Sequence, residues 1–190
     1  LIAVILNITT VILTSLSIVK EKERGTLEQI FVTPVEPLGL ILGKIAPFNI
    51  IAFVQVIVVL LLMRFLFGVP ISGSIVLLLA MSLVYIFCML GLGMLISTKA
   101  ENQMQAIQYA FLTMLPAILL SGFMFPRESM PKLFYYLGTI LPLTFYLQIV
   151  RGILLKGLTI SYLWGQIGAL ALFTAVILTL SVLKFKKRLE

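Results

Sequence analysis

Residues 75–97 read IVLLLAMSLVYIFCMLGLGMLIS, 23 positions without a charged side chain. At 1.5 Å per residue such a helix is about 34 Å long, enough to cross the ~30 Å hydrocarbon core of a bilayer. Lipid tails offer the backbone no hydrogen bonds, so a chain that crosses them must satisfy its own, as a helix does. Working outward, the stretches 1–19, 45–67, 105–125 and 162–183 have the same character, with Arg64 near the end of the second. Gly68, Pro70 and Gly73 mark a turn between 45–67 and 75–97, and Lys99, Glu101 and Asn102 a short polar link before 105–125. The reading is an all-α integral membrane protein with five transmembrane helices.

Composition agrees. The chain has 190 residues, 61% hydrophobic and 11% charged; soluble domains carry about 25% charged residues. At about 20 residues per span no length remains for a separate soluble domain. The net charge of +7 reflects Lys and Arg gathered on one side of a membrane rather than a nucleic-acid surface, so no nucleic-acid partner is expected. Cys88 is the one cysteine and lies in an apolar run, which excludes an internal disulfide and a cysteine metal cluster. Leu1 opens an apolar run without initiator Met, basic flank or cleavage site, so an upstream segment of the full protein is expected.

Between 126 and 157 the pattern changes. Residues 133–150 are uncharged, but Gly138 and Pro142 divide them into pieces too short to cross. Ser129 is placed to cap the first piece, with Pro131 in its first turn, and Tyr135, Tyr136, Phe145 and Tyr146 suit an interfacial belt. The reading is two short re-entrant or interfacial helices on the outer face. Charge supports it. With five spans the cytoplasmic side holds nine basic residues (Lys20, Lys22, Arg24, Lys44, Lys99, Lys184, Lys186, Lys187, Arg188) and the outer side five (Arg64, Arg127, Lys132, Arg151, Lys156). A sixth crossing would make it seven against seven, losing the positive-inside bias. The tail 184–190 is then cytoplasmic. Glu128, the one acidic residue on the outer side, is expected to pair with Arg127 or Lys132.

The most informative polar stretch is 19–37, VKEKERGTLEQIFVTPVEP. Gly25 permits a sharp turn. Thr26 and Gln29 have capping-box spacing. Leu27, Ile30 and Phe31 share one helical face, and Pro34 and Pro37 prevent continuation. This predicts a short amphipathic helix in a cytoplasmic loop. The residues leave two readings open, a helix seated in a partner's groove or one lying on lipid headgroups. The mixed charges Glu21, Lys22, Glu23 and Arg24 favour a protein partner over a uniformly anionic surface.

EKERGTLEQIFVTP resembles the cytoplasmic loop of ABC type-2 transporter permeases. The run LLSGFMFPRESMPKLFYYLGTILPLTFYLQIVRGILLKG (119–157) resembles the extracytoplasmic re-entrant helices that precede the last span in that family, and the likeness covers nearly the whole chain. It implies a C-terminal five-helix portion of a six-span subunit. It further implies pairing with a second permease subunit, the same or a paralogue, and a separate ABC ATPase docked on 20–37. The coupling residues it points to are Glu21, Glu23, Arg24, Gly25, Thr26, Leu27, Glu28, Ile30 and Phe31. No GxxxxGK[ST] phosphate loop occurs here, so ATP and Mg²⁺ would belong to the partner, with no cofactor on this chain. The implied location is a bacterial or archaeal plasma membrane, the inner one where there are two.

Polar residues within spans are costly unless paired or functional. Asn7, Thr10, Thr14 and Gln108 are candidates for a translocation path, against the alternative of hydrogen bonding within the bundle, which applies also to Thr9, Ser15 and Gln55. Small-residue rows at Gly93 and Ser97, and at Ser161, Gly165 and Ala169, suit close helix packing. Pro116 is a possible hinge. An intramembrane transferase lacks an acid–base set here: the chain has no His and no Asp, and none of the five spans carries a carboxylate. A passive channel or an assembly scaffold needs no capped docking helix, and the residues do not exclude either. The path suits hydrophobic or amphipathic substrates.

Overall fold

The described spans are helical, as hydrocarbon requires of a backbone that must satisfy itself, with Pro47 and Pro116 each removing one donor. The computed structural model describes the backbone of residues 1–25 and 37–187 and the side chains of 1–25 and 43–184. Seven α-helices occupy the described residues: α1 (Ile2–Glu23), α2 (Pro37–Phe65), α3 (Ile75–Lys99), α4 (Gln103–Leu120), α5 (Lys132–Thr139), α6 (Pro142–Lys156) and α7 (Ile160–Lys187). Five of them, α1, α2, α3, α4 and α7, are long and apolar enough to cross a membrane. The protein is an all-helical integral membrane fold.

Helix ends differ from the expected spans for local reasons. The charged residues Lys20–Glu23 continue α1 rather than opening a loop, because nothing stops the helix before Gly25. Gly25 has φ +67°, a left-handed conformation that ends helices and that a Cβ resists. Pro37 starts α2 instead of merely ending what precedes it, its missing N–H costing nothing at a first turn. α4 stops at Leu120, not 125, where Gly122 turns the chain at φ +88°. Ser74 and Asn102 cap α3 and α4, accepting from the amides of Leu77 and Gln105 at 3.3 and 2.8 Å. Ser129 does not cap α5: it closes a 3₁₀ turn, Arg127–Ser129, and α5 has no side-chain cap.

α1 and α3 form the centre. α3 packs most extensively on α7 and on α1, and α1 also meets α2 and α4. α1, which carries Asn7 and five Thr or Ser side chains, is the most enclosed span, 61% of its apolar window being buried against 17% for α7. Lipid penalises unpaired Asn, Thr and Ser, and in α1 these groups are turned into the bundle. Gly93 sets the α1–α3 distance: a Cβ there would lie 2.8 Å from Thr14 Cβ and 3.1 Å from the Val11 carbonyl oxygen. The Ser161–Gly165–Ala169 row behaves differently. Ser161 and Gly165 are exposed, and no described atom lies within 4 Å of a Cβ built on Gly165.

α5 and α6 meet at 85°. Their outer ends share one side of the bundle. The Ser72 amide, in the α2–α3 loop, donates to the Leu154 carbonyl near the end of α6 at 3.2 Å. Gly138 of α5 lies against the Leu120 carbonyl at the end of α4. α6 packs into the bundle. Tyr146 is fully buried, stacked on Tyr85 with ring centroids 4.1 Å apart, and its hydroxyl is 2.7 Å from Ser82 Oγ. Tyr135 and Tyr136 are exposed, and Phe145 rests on Phe173 at 5.8 Å. Glu128 makes no ion pair with Arg127 or Lys132; Arg127 lies over the Tyr135 ring instead, 4.4 Å from its centroid.

Two outcomes test this arrangement. Cysteines at Lys156 and Lys186, in a Cys88→Ser background, label from opposite sides of the membrane; labelling of both from one side would remove the re-entrant pair. Gly93→Leu, forced between α1 and α3, lowers stability by about 1–3 kcal/mol in detergent unfolding, whereas Gly165→Leu leaves the fold of the single chain unchanged. Equal losses would contradict the packing of Gly93.

Candidate translocation cavity and coupling junction

An amide buried in a membrane is costly unless it has partners, and Asn7 shows where the bundle supplies them. Its Nδ2 donates to Tyr85 Oη at 3.3 Å and to Met89 Sδ at 3.2 Å. Tyr85 in turn donates to the Ala3 carbonyl at 3.4 Å. Asn7 also borders a cavity of about 430 Å³ beneath the α5–α6 break. Val11, Met89, Leu92, Phe173, Val176 and Ile177 supply apolar walls, Thr113, Pro116 and Ala117 one side, and Ile140–Leu143 the roof. The Thr113 hydroxyl is turned back on the Ala110 carbonyl at 2.9 Å, leaving Asn7 as the principal polar side chain of the lining.

A second cavity of about 360 Å³ lies toward the C-terminal ends of α3 and α7, beside α4, and shares Leu92 and Thr113 with the first. Lys99 and Lys184 border its far end. The two form one apolar seam running from a pair of lysines to an amide.

The proposed path residues separate here. Asn7 and Pro116 share one cavity. Thr10 and Thr14 are buried with unpartnered hydroxyls outside its lining, Thr14 against Gly93. Gln108 is exposed on α4 and does not reach the cavity. Bundle bonds occupy the other candidates: Thr9 donates to Gln55 Oε1 at 2.8 Å, and Ser15 to the Ile12 carbonyl at 3.1 Å.

The C-terminal end of α1 makes a second constellation. Glu21 pairs with Lys44 of α2. Lys22 Nζ donates to the Ala100 carbonyl in the α3–α4 link at 2.8 Å. The Glu23 carboxylate receives the Gln103 backbone amide at 2.8 Å and its side-chain amide at 2.5 Å, at the first turn of α4. Three consecutive residues thus tie α1 to the three nearest junctions. Arg24 and Gly25 follow at once. Thr26, Leu27, Glu28, Ile30 and Phe31 lie outside the described residues.

Sequence reading passed over Gln103 and Tyr85, used Lys22 and Lys44 only as charges, and assigned Tyr146 to an interfacial belt. Tyr85 did carry a signal: a phenol near the middle of an uncharged span needs a hydrogen-bond partner. Nothing in the chain named which.

The model of the ABC-2 type transporter family matches residues 1–155. Over 188 residues the chain is 34% identical to the "Probable multidrug ABC transporter permease YbhR" of Escherichia coli, covering 99% of this chain and 51% of that protein. It is 32% identical over 190 residues to E. coli YbhS, also named a probable multidrug ABC transporter permease, covering 100% and 50%. "ABC transporter G family member 20" of Dictyostelium discoideum is 33% identical over 150 residues, 79% of this chain and 20% of that protein. The chain spans about half the length of the bacterial relatives. No solved structure matches it. With five apolar helices and a family match over most of its length, the chain is part of a multi-pass membrane protein and belongs to the ABC-2 type transporter family.

Proposed function

We propose that this chain is the membrane-spanning portion of an ATP-driven exporter, coupled to a separate ABC ATPase and paired with a second permease subunit in a bacterial inner membrane. Catalysis of ATP hydrolysis, with its Mg²⁺, belongs to the ATPase, and this chain has no catalytic role. The observation that carries the reading is the junction at Glu21, Lys22 and Glu23. A push on the segment after Gly25 reaches α2, the α3–α4 link and α4 together, because one helix end is bonded to all three. Charge-assisted bonds of this kind are among the stronger directional contacts available to a helix end.

The seam supports the transport half. An amphipathic molecule enters beside Lys99 and Lys184, slides its apolar part past Leu92 and Thr113, and presents a polar group to Asn7. The α5–α6 break roofs that cavity, so release outward requires α6 to shift against α3. Pro116, beside the break, is a suitable hinge: it removes one backbone hydrogen bond from α4. The relatives named as multidrug permeases fit an apolar cavity with one amide, which selects for greasiness more than for shape. The substrate class is hydrophobic or amphipathic.

Coupling is tested at the junction. Gly25→Val forces a branched residue into a left-handed conformation at roughly 1–2 kcal/mol. It retains the ATPase but loses substrate-stimulated hydrolysis. Phe31→Asp loses the ATPase on purification while the permease still reaches the membrane. A lipid-surface helix, or a scaffold or channel, predicts unchanged ATPase retention in both.

The path is tested at Leu92, which borders both cavities. Leu92→Trp obstructs the seam and lowers transport by about tenfold, equivalent to ~1.4 kcal/mol, with assembly intact by size-exclusion chromatography. Normal transport in that variant would move the path elsewhere.

A further inference from the structure

The outer face carries a third cavity that the export reading does not use. It measures about 390 Å³ and lies between the end of α4, the 3₁₀ turn and α6, sharing no lining residue with the seam. Arg127 and Arg151 both border it, with Gln148, Ser121 and the single carboxylate of Glu128. Neither arginine forms an ion pair among the described residues.

Arg127 is held in place. Its guanidinium lies 4.4 Å from the Tyr135 ring centroid, and Nη2 donates to the Tyr135 carbonyl at 3.1 Å. Its Nε is buried with no acceptor. A guanidinium has five N–H donors arranged as a fork that matches a carboxylate or a phosphate. Here the ring fixes the plane, Nη2 bonds the Tyr135 carbonyl, and the buried Nε has no acceptor. Arg151 adds a second positive charge from α6, and Gln148 stands one helical turn before it on the same lining. Two cations against one carboxylate leave the cavity net positive.

We propose that this cavity is an anion-binding site that takes a carboxylate or phosphate group on the outer face, with Arg127 as the oriented ligand and Arg151 as the second charge. The group is carried by a lipid headgroup or by a soluble anion. The site stands independently of the seam, so it holds whether or not the seam is the export path.

The test reads local charge directly. Gln148→Cys, in the full-length protein with its other cysteines replaced, is reconstituted with its ATPase in phosphatidylcholine vesicles. It is then modified by methanethiosulfonates bearing either a sulfonate or a trimethylammonium group. Each rate is divided by that for free cysteine. One nearby unit charge acting through water changes such a rate roughly threefold, so two arginines give the anionic reagent an advantage of about tenfold. Arg151→Gln, at an exposed side chain, removes about a threefold share of it, and Arg127→Gln a similar one. Inorganic phosphate at constant ionic strength slows the anionic reagent if the site takes soluble anions; phosphatidylglycerol in the vesicles slows it if the site takes headgroups. Protection by either supports the proposal and identifies the source. Equal rates for the two reagents would overturn it, as would the absence of protection by both probes. A cavity already neutralised by another carboxylate gives equal rates and fails in the same way.

Discussion

The bundle depends on one buried contact, the stack of Tyr85 on Tyr146. Two phenols deep in a membrane protein must find both an apolar surface for the ring and a partner for the hydroxyl. Stacking at 4.1 Å supplies the first. Ser82, Asn7 and the Ala3 carbonyl supply the second. Three helices meet through this contact: α1 through Asn7 and Ala3, α3 through Tyr85 and Ser82, α6 through Tyr146. Because α6 is held to α3 there, its break with α5 is held over the Asn7 cavity. Site and scaffold therefore share their bonds, and Asn7 belongs to both.

The two ends of the bundle are built differently. At its C-terminal end α1 is tied by hydrogen bonds and an ion pair to the surrounding junctions. Directional bonds of this kind transmit displacement. At the opposite end close packing stands beside such bonds: Gly138 lies against Leu120 and Gly73 against Ile153, while the Ser72 amide bonds the Leu154 carbonyl and Thr144 bonds the Gly138 carbonyl. Between the two, the apolar seam offers nothing that would hold a polar substrate until Asn7.

Much of the candidate site was legible and some was not. Asn7 stood out because an amide in a span is expensive wherever it sits. Gly25 stood out because a glycine between charged residues and an amphipathic run suggests a turn, and its positive φ gives that turn its form. Gln108 was an equally reasonable candidate by the same rule and is exposed instead. Rotation about α4 decides between those outcomes, and a span that is apolar nearly all round does not encode its own rotation. The ties of Lys22 and Glu23 were invisible for another reason: their partners, Ala100 and Gln103, are some 80 positions away.

The chain by itself determined that this is a membrane protein, which five helices are long and apolar enough to cross, and where the 133–150 stretch breaks. Those properties follow from hydrocarbon as a solvent: it demands about 20 apolar residues per crossing and excludes free backbone polar groups. Tertiary structure decided which faces touch. Lipid tails are as apolar as leucine, so no hydrophobic pattern separates a packed face from a lipid-facing one. Hence Gly93 packs against Thr14 while Gly165, equally small and equally spaced, faces outward. For the same reason Tyr146, which suited the interface by type, lies at the centre of the bundle, where only a partner on another helix could satisfy it.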